Sequence, residues 1–141
     1  MTIGAILRER TGAVISAGPN DTVRIAVDLL AQNRIGAVPV VEGDKIVGIF
    51  SERDIVRLLS SYGPEALDRS LDEVMTKSPV TCDPSMAVIG ALSQMTQKRI
   101  RHLPVVEGSR IIGFVSIGDL VKYRIDRIEA EAAAMRDYIA S

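Results

Sequence analysis

The fold can be read outward from residues 38–54, which are Val38-Pro39-Val40-Val41-Glu42-Gly43-Asp44-Lys45-Ile46-Val47-Gly48-Ile49-Phe50-Ser51-Glu52-Arg53-Asp54. The pattern returns 65 positions later as Leu103-Pro104-Val105-Val106-Glu107-Gly108-Ser109-Arg110-Ile111-Ile112-Gly113-Phe114-Val115-Ser116-Ile117-Gly118-Asp119. Each copy has two apolar runs around a short turn with glycine, followed by Ser-x-x-Asp. This pattern predicts a β-hairpin that leads into a helix.

The repeat extends well beyond the hairpin. Residues 15–59 and 80–124 share 16 identities over 45 positions without a gap. We predict an α+β fold of two tandem β-α-β-β-α repeats with pseudo-twofold symmetry, packed through their sheets around a shared core, because half a chain this short buries little surface alone. The predicted boundaries are repeat 1 at 1–59, a linker at 60–70, repeat 2 at 71–124 and a C-terminal helix at 125–141.

Two local features refine this architecture. Pro39 lies inside the first apolar run, which predicts an edge strand or a strand that starts at Pro39, because proline cannot donate to a sheet ladder. The C-terminal segment has apolar residues at heptad spacing, namely Val121, Ile125, Ile128, Ala132, Met135 and Ile139. Such a seam either packs on a partner helix, giving a homodimer, or folds back on its own domain. Both readings stay open, and we expect the homodimer.

Composition restricts the function. The 141 residues are 47% hydrophobic and 25% charged, with a formal net charge of −1. This charge argues against broad nucleic-acid binding, which needs a basic face. The single cysteine, Cys82, can form neither an intrachain disulfide nor a cysteine metal cluster, so we expect a reducing compartment. The chain shows no signal-peptide pattern and no apolar run of the roughly 20 residues that span a bilayer. We therefore expect a cytoplasmic protein with no membrane association and no metal site.

The Ser-x-x-Asp pairs, Ser51 with Asp54 and Ser116 with Asp119, have two interpretations. Serine and aspartate at this spacing form a capping box, which is a purely structural device. A helix N-terminus also attracts phosphate, and a carboxylate beside it can accept hydrogen bonds from two sugar hydroxyls. The same four residues therefore fit either helix caps or a pair of nucleotide sites.

The repeated segments resemble a known family. Residues 48–54 and 113–119 are similar to the Gly-h-h-Ser/Thr-x-x-Asp signature of cystathionine β-synthase (CBS) domains, where h is hydrophobic. Residues 35–41 and 100–106 resemble that family's other landmark. Two copies in tandem with no other domain attached resemble the stand-alone CBS pairs of bacteria. The resemblance implies two clefts that bind AMP, ADP, ATP or NAD(H), with S-adenosylmethionine less favoured.

The resemblance also assigns roles to residues. It implies that Asp54 and Asp119 hold ribose hydroxyls and that Ser51 and Ser116 hold phosphate. The remaining expected ligand contacts are base-lining side chains and backbone groups at the base edge, at Ala37, Val38, His102, Leu103, Ile15, Ser16, Val80 and Thr81.

The two predicted sites are unequal. The second copy carries the basic pair Arg101–His102, which suits an anionic phosphate, and we expect Arg101 and Asp119 to be the neighbours of His102. The first copy has Gly36 and Ala37 at those positions, but it has Arg53 in its helix start where the second has Gly118. These differences suggest different ligands or one empty site.

The expected function is that of a regulatory adenine-nucleotide-binding module that signals to a partner protein. The alternative is a structural dimerisation module without a nucleotide ligand, in which Ser-x-x-Asp serves only as a cap. An enzyme is not expected, because the sequence shows no nucleophile–base arrangement.

Overall fold

The computed structural model describes residues 1–141 and shows the same element order twice. The first copy contains helix α2 (Val23–Asn33), strands β1 (Ala37–Glu42) and β2 (Lys45–Ser51) and helix α3 (Glu52–Tyr62). The second contains helix α5 (Val88–Lys98), strands β4 (His102–Glu107) and β5 (Arg110–Ser116) and helix α6 (Ile117–Ala140). Short elements precede each copy: helix α1 (Ile3–Arg8) before the first, and a 3-10 helix (Gly63–Asp68), helix α4 (Leu71–Val74) and strand β3 (Thr76–Lys77) before the second. The predicted α+β fold with two repeats is confirmed.

The two hairpins form as the sequence predicts. β1 pairs with β2 and β4 pairs with β5, both antiparallel. Each turn needs a residue with positive φ, and Gly43 (φ 68°) and Gly108 (φ 65°) supply it without the strain of a Cβ. The sheet order is β1-β2-β5-β4, so Pro39 lies in an edge strand, as predicted, and Pro104 lies in the other edge strand.

The predicted first strand of each repeat is much shorter than expected. It is reduced to one isolated parallel bridge, between Ala17 and Val40 in the first copy and between Cys82 and Val105 in the second. In each bridge the carbonyl of the proline accepts a hydrogen bond: Ala17 N donates to Pro39 O at 3.0 Å, and Cys82 N donates to Pro104 O at 2.9 Å.

The two hairpins meet at a single point. Lys45 of β2 pairs with Arg110 of β5, and the amide of Ile111 donates to the carbonyl of Asp44 at 2.9 Å. Because 45 and 110 are equivalent positions of the repeat, this contact lies on the pseudo-twofold axis that relates the two copies.

The segment before each copy packs on the other copy. Ile3 N donates to Met86 O at 2.9 Å, which docks α1 on the second repeat. Leu71 N donates to Asp21 O at 2.8 Å, which docks α4 on the first repeat. Positions 21 and 86 are equivalent in the repeat, so the two connections are symmetric.

In this crossed packing, the segment before each copy docks on the other copy. The apolar interior is divided into two clusters rather than one. The first cluster joins α2, β1 and β2 to Ala66, Leu71 and Met75. The second joins α5, β4 and β5 to Ile3 and Ile6 of the N-terminal helix. The expectation of one core common to both copies is therefore wrong. Each copy instead completes its own core with a segment that precedes the other copy.

The segment predicted as a linker is mostly helical. α3 continues to Tyr62, the 3-10 helix follows at once, and Ala66 is fully buried in the first core. Arg69 lies over the ring of Tyr62, with its guanidinium carbon 3.9 Å from the ring centroid. These contacts hold the connection against the first repeat.

The C-terminal helix does not fold back on its own domain. Ile125 and Ile128 are each 49% exposed, and Met135 and Ile139 are 60% and 75% exposed. The predicted heptad seam is therefore an apolar stripe that no other part of the chain covers. None of the helices combines the length and apolarity that a membrane crossing requires.

Candidate functional site

Both Ser-x-x-Asp pairs cap the helix that follows them. In the second copy the amide of Asp119 donates to Ser116 Oγ at 3.0 Å, and the amide of Ser116 donates to Asp119 Oδ2 at 2.8 Å. In the first copy the amide and hydroxyl of Ser51 donate to Asp54 Oδ2 at 2.9 and 3.1 Å. The structural role of these residues is thus present in both copies.

Each aspartate also has an arginine partner, and the two pairs differ. Arg57, one turn further along α3, places Nη2 2.8 Å from Asp54 Oδ1. Arg10, which follows α1, places Nη2 2.7 Å from Asp119 Oδ2 and donates through Nη1 to the carbonyl of Phe114 at 2.8 Å. Both oxygens of Asp54 are therefore hydrogen-bonded, whereas Asp119 Oδ1 accepts no hydrogen bond from the protein.

The Asp119 carboxylate is stabilised in its charged form. Burial alone would raise its pKa, but hydrogen bonds from Ser116 and Arg10, together with the charge of Arg10, outweigh burial and lower the pKa of Asp119 below its ordinary range. Its side chain is 40% exposed, against 8% for Asp54. Asp119 is thus an ionised and accessible acceptor at neutral pH.

A cavity of about 430 Å³ opens beside Asp119, and we name it the Asp119 cleft. The second repeat contributes Ser116, Asp119 and the strand β5 wall. The opposite wall comes from the first repeat and from the segment that leads into it. The lining residues of that wall include Arg10, Val14, Ile15, Arg34, Gly36 and Ala37.

A second cavity of about 530 Å³ opens beside Asp54, and we name it the Asp54 cleft. The first repeat contributes Ser51, Arg53, Asp54 and Arg57. The second repeat and its leading segment supply the opposite wall, whose members include Ser78, Val80, Arg99, Ile100 and Arg101.

The crossed packing explains why each cleft is shared between the copies. Since α1 docks on the second repeat, residues 9–18 must return to the first repeat, and they pass along the Asp119 cleft on the way. Residues 76–81 make the equivalent return along the Asp54 cleft. Arg101, expected at the second site, lines the Asp54 cleft, although its carbonyl accepts a hydrogen bond at 2.8 Å from the amide of Ile117, two residues before Asp119.

His102 lies between the clefts and lines both of them. Its ring stacks on Phe114 with the centroids 5.5 Å apart. Burial lowers the pKa of His102, and the attraction of Asp119 opposes that effect more than the repulsion of Arg101 adds to it. The imidazole is consequently neutral at neutral pH and able to act as a flat wall.

Most of the other predicted residues line a cleft, and four do not. Ile15 and Ala37 lie in the Asp119 cleft, and Val80 lies in the Asp54 cleft. Val38 and Leu103 are fully buried in the two cores, so their side chains cannot reach a ligand. Ser16 and Thr81 line neither cavity.

Sequence reasoning missed Arg10, Arg34 and Arg99. Arg34 and Arg99 end α2 and α5 in the left-handed conformation, with φ of 53° and 54°, where glycine is usual. They are equivalent and identical in the repeat, and this combination was a usable signal. Arg10 lies outside the repeated segments, and nothing local to it indicates a partner on α6.

The structure contains no group of three histidine, cysteine or acidic side chains that could hold a metal ion. Burial raises the pKa of Cys82 to about 11, and the nearby charge of Asp83 adds to the rise. This thiol is therefore protonated and unreactive at neutral pH.

Comparison with known proteins identifies the family. The family model for the CBS domain matches residues 5–61 and 71–126. The CBS domain-containing protein YhcV of Bacillus subtilis is 32% identical over 123 residues, which cover 87% of each chain. The crystal structure of the CBS-domain containing protein ATU1752 from Agrobacterium tumefaciens is 35% identical with a TM-score of 0.81, and the match covers 87% of this chain and 92% of that one.

Two more distant structures, each 24% identical, share the fold. CBSX2 in complex with AMP matches with a TM-score of 0.75 over 89% of this chain and 96% of that one. The CBS domain pair of protein MJ0100, in complex with 5-methylthioadenosine and S-adenosyl-L-methionine, matches with a TM-score of 0.79 over 90% of this chain and 98% of that one. The doubled match, the hairpin and helix order of each repeat and the paired clefts lead to one conclusion: the chain belongs to the CBS-domain family and carries the domain twice.

Proposed function

We propose that this protein is a regulatory module that binds an adenosine ligand in the clefts between its two repeats. The observation that carries the proposal is the state of Asp119. Its carboxylate is ionised and partly exposed beside a cleft with an apolar wall, and its Oδ1 accepts no hydrogen bond from the protein. A ribose diol needs this kind of acceptor.

Hydrogen-bond capacity supports this role. An ionised carboxylate has about four acceptor positions, two on each oxygen. Ser116 and Arg10 use the two on Asp119 Oδ2, which leaves both positions on Oδ1 for two ribose hydroxyls. At Asp54, Oδ1 already accepts a hydrogen bond from Arg57, whose side chain is 66% exposed. The Asp119 carboxylate can therefore cap its helix and accept a diol at the same time, whereas a diol at Asp54 has to displace Arg57 from Oδ1.

The rest of each cleft suits the other parts of an adenosine ligand. Ile15, Ala37 and the stacked pair His102–Phe114 offer an apolar wall for a base in the Asp119 cleft. Arginines line both clefts and suit a phosphate, since guanidinium binds it through charged hydrogen bonds. AMP, ADP, ATP and NAD(H) carry this phosphate. S-adenosylmethionine is less favoured because its sulfonium is a cation.

The structures of CBSX2 with AMP and of MJ0100 with 5-methylthioadenosine and S-adenosyl-L-methionine support the choice of adenosine. The three ligands share an adenosine with its ribose diol and differ in the group at the 5′ position. In our proposal the aspartates recognise the common part, and the arginines select among the variable groups.

Regulation follows from the position of the clefts. A ligand that contacts both repeats stabilises the arrangement of the copies to which it binds more tightly, and it shifts the population toward that arrangement. We propose that a cytoplasmic partner protein responds to this shift and that the module itself is not an enzyme. We also propose a homodimer in which the exposed stripe of α6 packs on its counterpart.

The capping geometry supports a second candidate, a structural module without a nucleotide ligand. Its prediction is different: Asp54→Ala and Asp119→Ala lower stability by about 0.5–2 kcal/mol as lost caps and change no binding.

A thermal-shift panel separates the two candidates. AMP, ADP, ATP, NAD⁺, NADH and S-adenosylmethionine are added in turn to the unmodified protein and to Asp119→Ala. Ligand at 100 times its dissociation constant stabilises the folded state by about 2.7 kcal/mol, which is a rise of a few degrees. A rise that the variant reduces supports the sensor. No rise with any ligand supports the structural module.

A further inference from the structure

We infer that the two clefts select different ligands: the Asp54 cleft takes an adenosine polyphosphate, and the Asp119 cleft takes an adenosine ligand with no more than one phosphate. The inference rests on the proposed function and extends it to the charge of the 5′ group. Its basis is the way in which the crossed packing distributes the basic residues.

In the sequence, each copy has one arginine at a position where the other copy has glycine, so neither copy is more basic than the other at these two positions. The second copy has Arg101 where the first has Gly36, and the first has Arg53 where the second has Gly118. The structure combines these differences. The start of α3 in the first copy and the residues just before β4 in the second copy both line the Asp54 cleft. Arg53 and Arg101 therefore line the same cavity.

The resulting imbalance is large. Four arginines line the Asp54 cleft, Arg53, Arg57, Arg99 and Arg101, whereas two line the Asp119 cleft, Arg10 and Arg34. One arginine in each cleft is held by its aspartate, Arg57 by Asp54 and Arg10 by Asp119. Three guanidinium groups without an ion-pair partner remain in the Asp54 cleft, and one remains in the other.

The remaining charged groups do not cancel the difference. Glu52 lines the Asp54 cleft and offsets one of its three unpaired arginines, which leaves it more basic than the Asp119 cleft. His102 lines both cavities and therefore does not distinguish them. The Asp54 cavity is also the larger, about 530 Å³ against about 430 Å³. Both its charge and its volume suit a longer, more highly charged phosphate chain.

The test measures AMP and ATP affinity in each cleft by calorimetry, in magnesium-free buffer so that ATP keeps its full charge. Asp119→Ala disables the Asp119 cleft and reports on the other, and Asp54→Ala does the reverse. We expect the ratio of ATP to AMP affinity to be about tenfold or more higher in Asp119→Ala than in Asp54→Ala, as one or two added charged hydrogen bonds imply.

Removal of the two distinguishing charges should abolish this preference. Arg53→Gln with Arg101→Gln, in the Asp119→Ala protein, should lower the affinity ratio by about tenfold. Arg34→Gln in the same protein is the matched control, because Arg34 lines only the other cleft, and it should leave the ratio unchanged. Conversely, Gly118→Arg in the Asp54→Ala protein should raise ATP affinity, since the Cβ at this exposed position meets only Ser116 Oγ at 3.6 Å.

The outcomes separate the two levels of the argument. Equal ratios in the two clefts, or a higher ratio in the Asp119 cleft, overturn this inference while adenosine binding itself supports the proposed function. If neither AMP, ATP nor adenosine binds the unmodified protein, the proposed function fails and the inference fails with it. The arginine variants are exposed, and a thermal melt of each one verifies that it is folded.

Discussion

Arg10 Nη2 lies 2.7 Å from Asp119 Oδ2, so an ion pair joins the segment after the first helix to the start of the last one. The same guanidinium donates to the carbonyl of Phe114 and thereby holds the returning segment against β5. This contact completes one wall of the Asp119 cleft. It also keeps Oδ2 occupied and leaves Oδ1 as the acceptor that faces a ligand in our proposal.

The ion pair predicts a specific pH dependence. Hydrogen bonds from Ser116 and Arg10 outweigh burial and lower the pKa of Asp119 in the folded state, so its contribution to stability is present above the unfolded pKa and is lost as pH falls through the folded pKa. Arg10→Gln should raise the pKa of Asp119 and reduce this contribution. Carboxyl NMR titration measures the pKa directly. Arg24→Gln, which breaks the exposed pair with Asp68, is the control and should leave the Asp119 titration unchanged.

The crossed packing predicts which repeat each N-terminal segment stabilises. Ile3 and Leu71 are fully buried in opposite cores. Ile3→Ala and Leu71→Ala should each lower the free energy of unfolding by about 2–5 kcal/mol. Native-state hydrogen exchange should show Ile3→Ala loosening β4 and β5 first, and Leu71→Ala loosening β1 and β2 first. The reverse assignment would refute the crossing.

Gly48 and Gly113 are equivalent residues with unequal surroundings. A Cβ on Gly48 would meet the side chain of Met75 and the backbone carbonyl of Thr76, whereas the three atoms nearest to a Cβ on Gly113 all belong to the side chain of Leu7. A leucine side chain can shift, but the Thr76 backbone is held by its pairing with Ile49. We therefore expect Gly48→Ala to lower the free energy of unfolding by about 1–3 kcal/mol, and Gly113→Ala by less.

Chemical denaturation measures both glycine variants. Gly90→Ala, in the first turn of α5 with its nearest neighbour 3.9 Å away, is the control and should stabilise by up to about 0.5–1 kcal/mol because alanine favours helix. A larger loss for Gly113→Ala than for Gly48→Ala would contradict the account of the two contacts.

His102 predicts a second pH effect, with the same sign. Burial lowers its pKa in the folded state, so the unfolded chain binds the proton more readily, and stability falls as pH decreases through the ordinary histidine pKa. His102 is the only histidine, so its imidazole signal in proton NMR reports this pKa without overlap. His102→Gln should flatten the pH dependence of stability between about pH 5 and 7. An imidazole that titrates above its ordinary value would be incompatible with this explanation.

The apolar stripe on α6 predicts the oligomeric state. Ile128→Glu places a charge in the seam and should convert a dimer into a monomer, as sedimentation velocity would reveal. Ala130→Glu adds the same charge on the opposite face of the helix and is the matched control. A monomeric unmodified protein at micromolar concentration, with and without AMP, would exclude the proposed homodimer.

Local features of the fold were predictable from the sequence, and connections between the copies were not. The hairpins, the edge position of Pro39 and the helix caps depend on residues close together in the chain. The crossed packing depends on α1 and α4, in which Ile3 donates to Met86 and Leu71 donates to Asp21. The two donors, Ile3 and Leu71, are 68 positions apart, whereas the repeats are offset by 65. An ungapped comparison at 65 therefore cannot reveal it.

The site was predictable to the same extent. Ser-x-x-Asp marked one wall of each cleft, but the opposite wall belongs to the other copy. For that reason the sequence assigned Arg101 to Asp119, while the structure brings Arg101 and Arg53 together at Asp54. Val38 and Leu103 were assigned to a ligand although successive side chains of a strand point to opposite faces. Each therefore points away from the face of its neighbour, Ala37 or His102, which lines a cleft.

The most direct test of the proposed function is a calorimetric titration of AMP into the unmodified protein and into the double variant Asp54→Asn with Asp119→Asn. Asparagine keeps an oxygen that can accept a hydrogen bond from the serine amide, so the caps persist while the charge is lost. Asp126→Asn, on the exposed surface of α6, is the control. We predict AMP binding by the unmodified and control proteins, and at least about tenfold weaker binding by the double variant. The double variant should still unfold cooperatively, at a melting temperature lowered by the loss of the ion pairs with Arg10 and Arg57. Equal AMP affinity in all three proteins, or no binding by any, would contradict the role of the two aspartates.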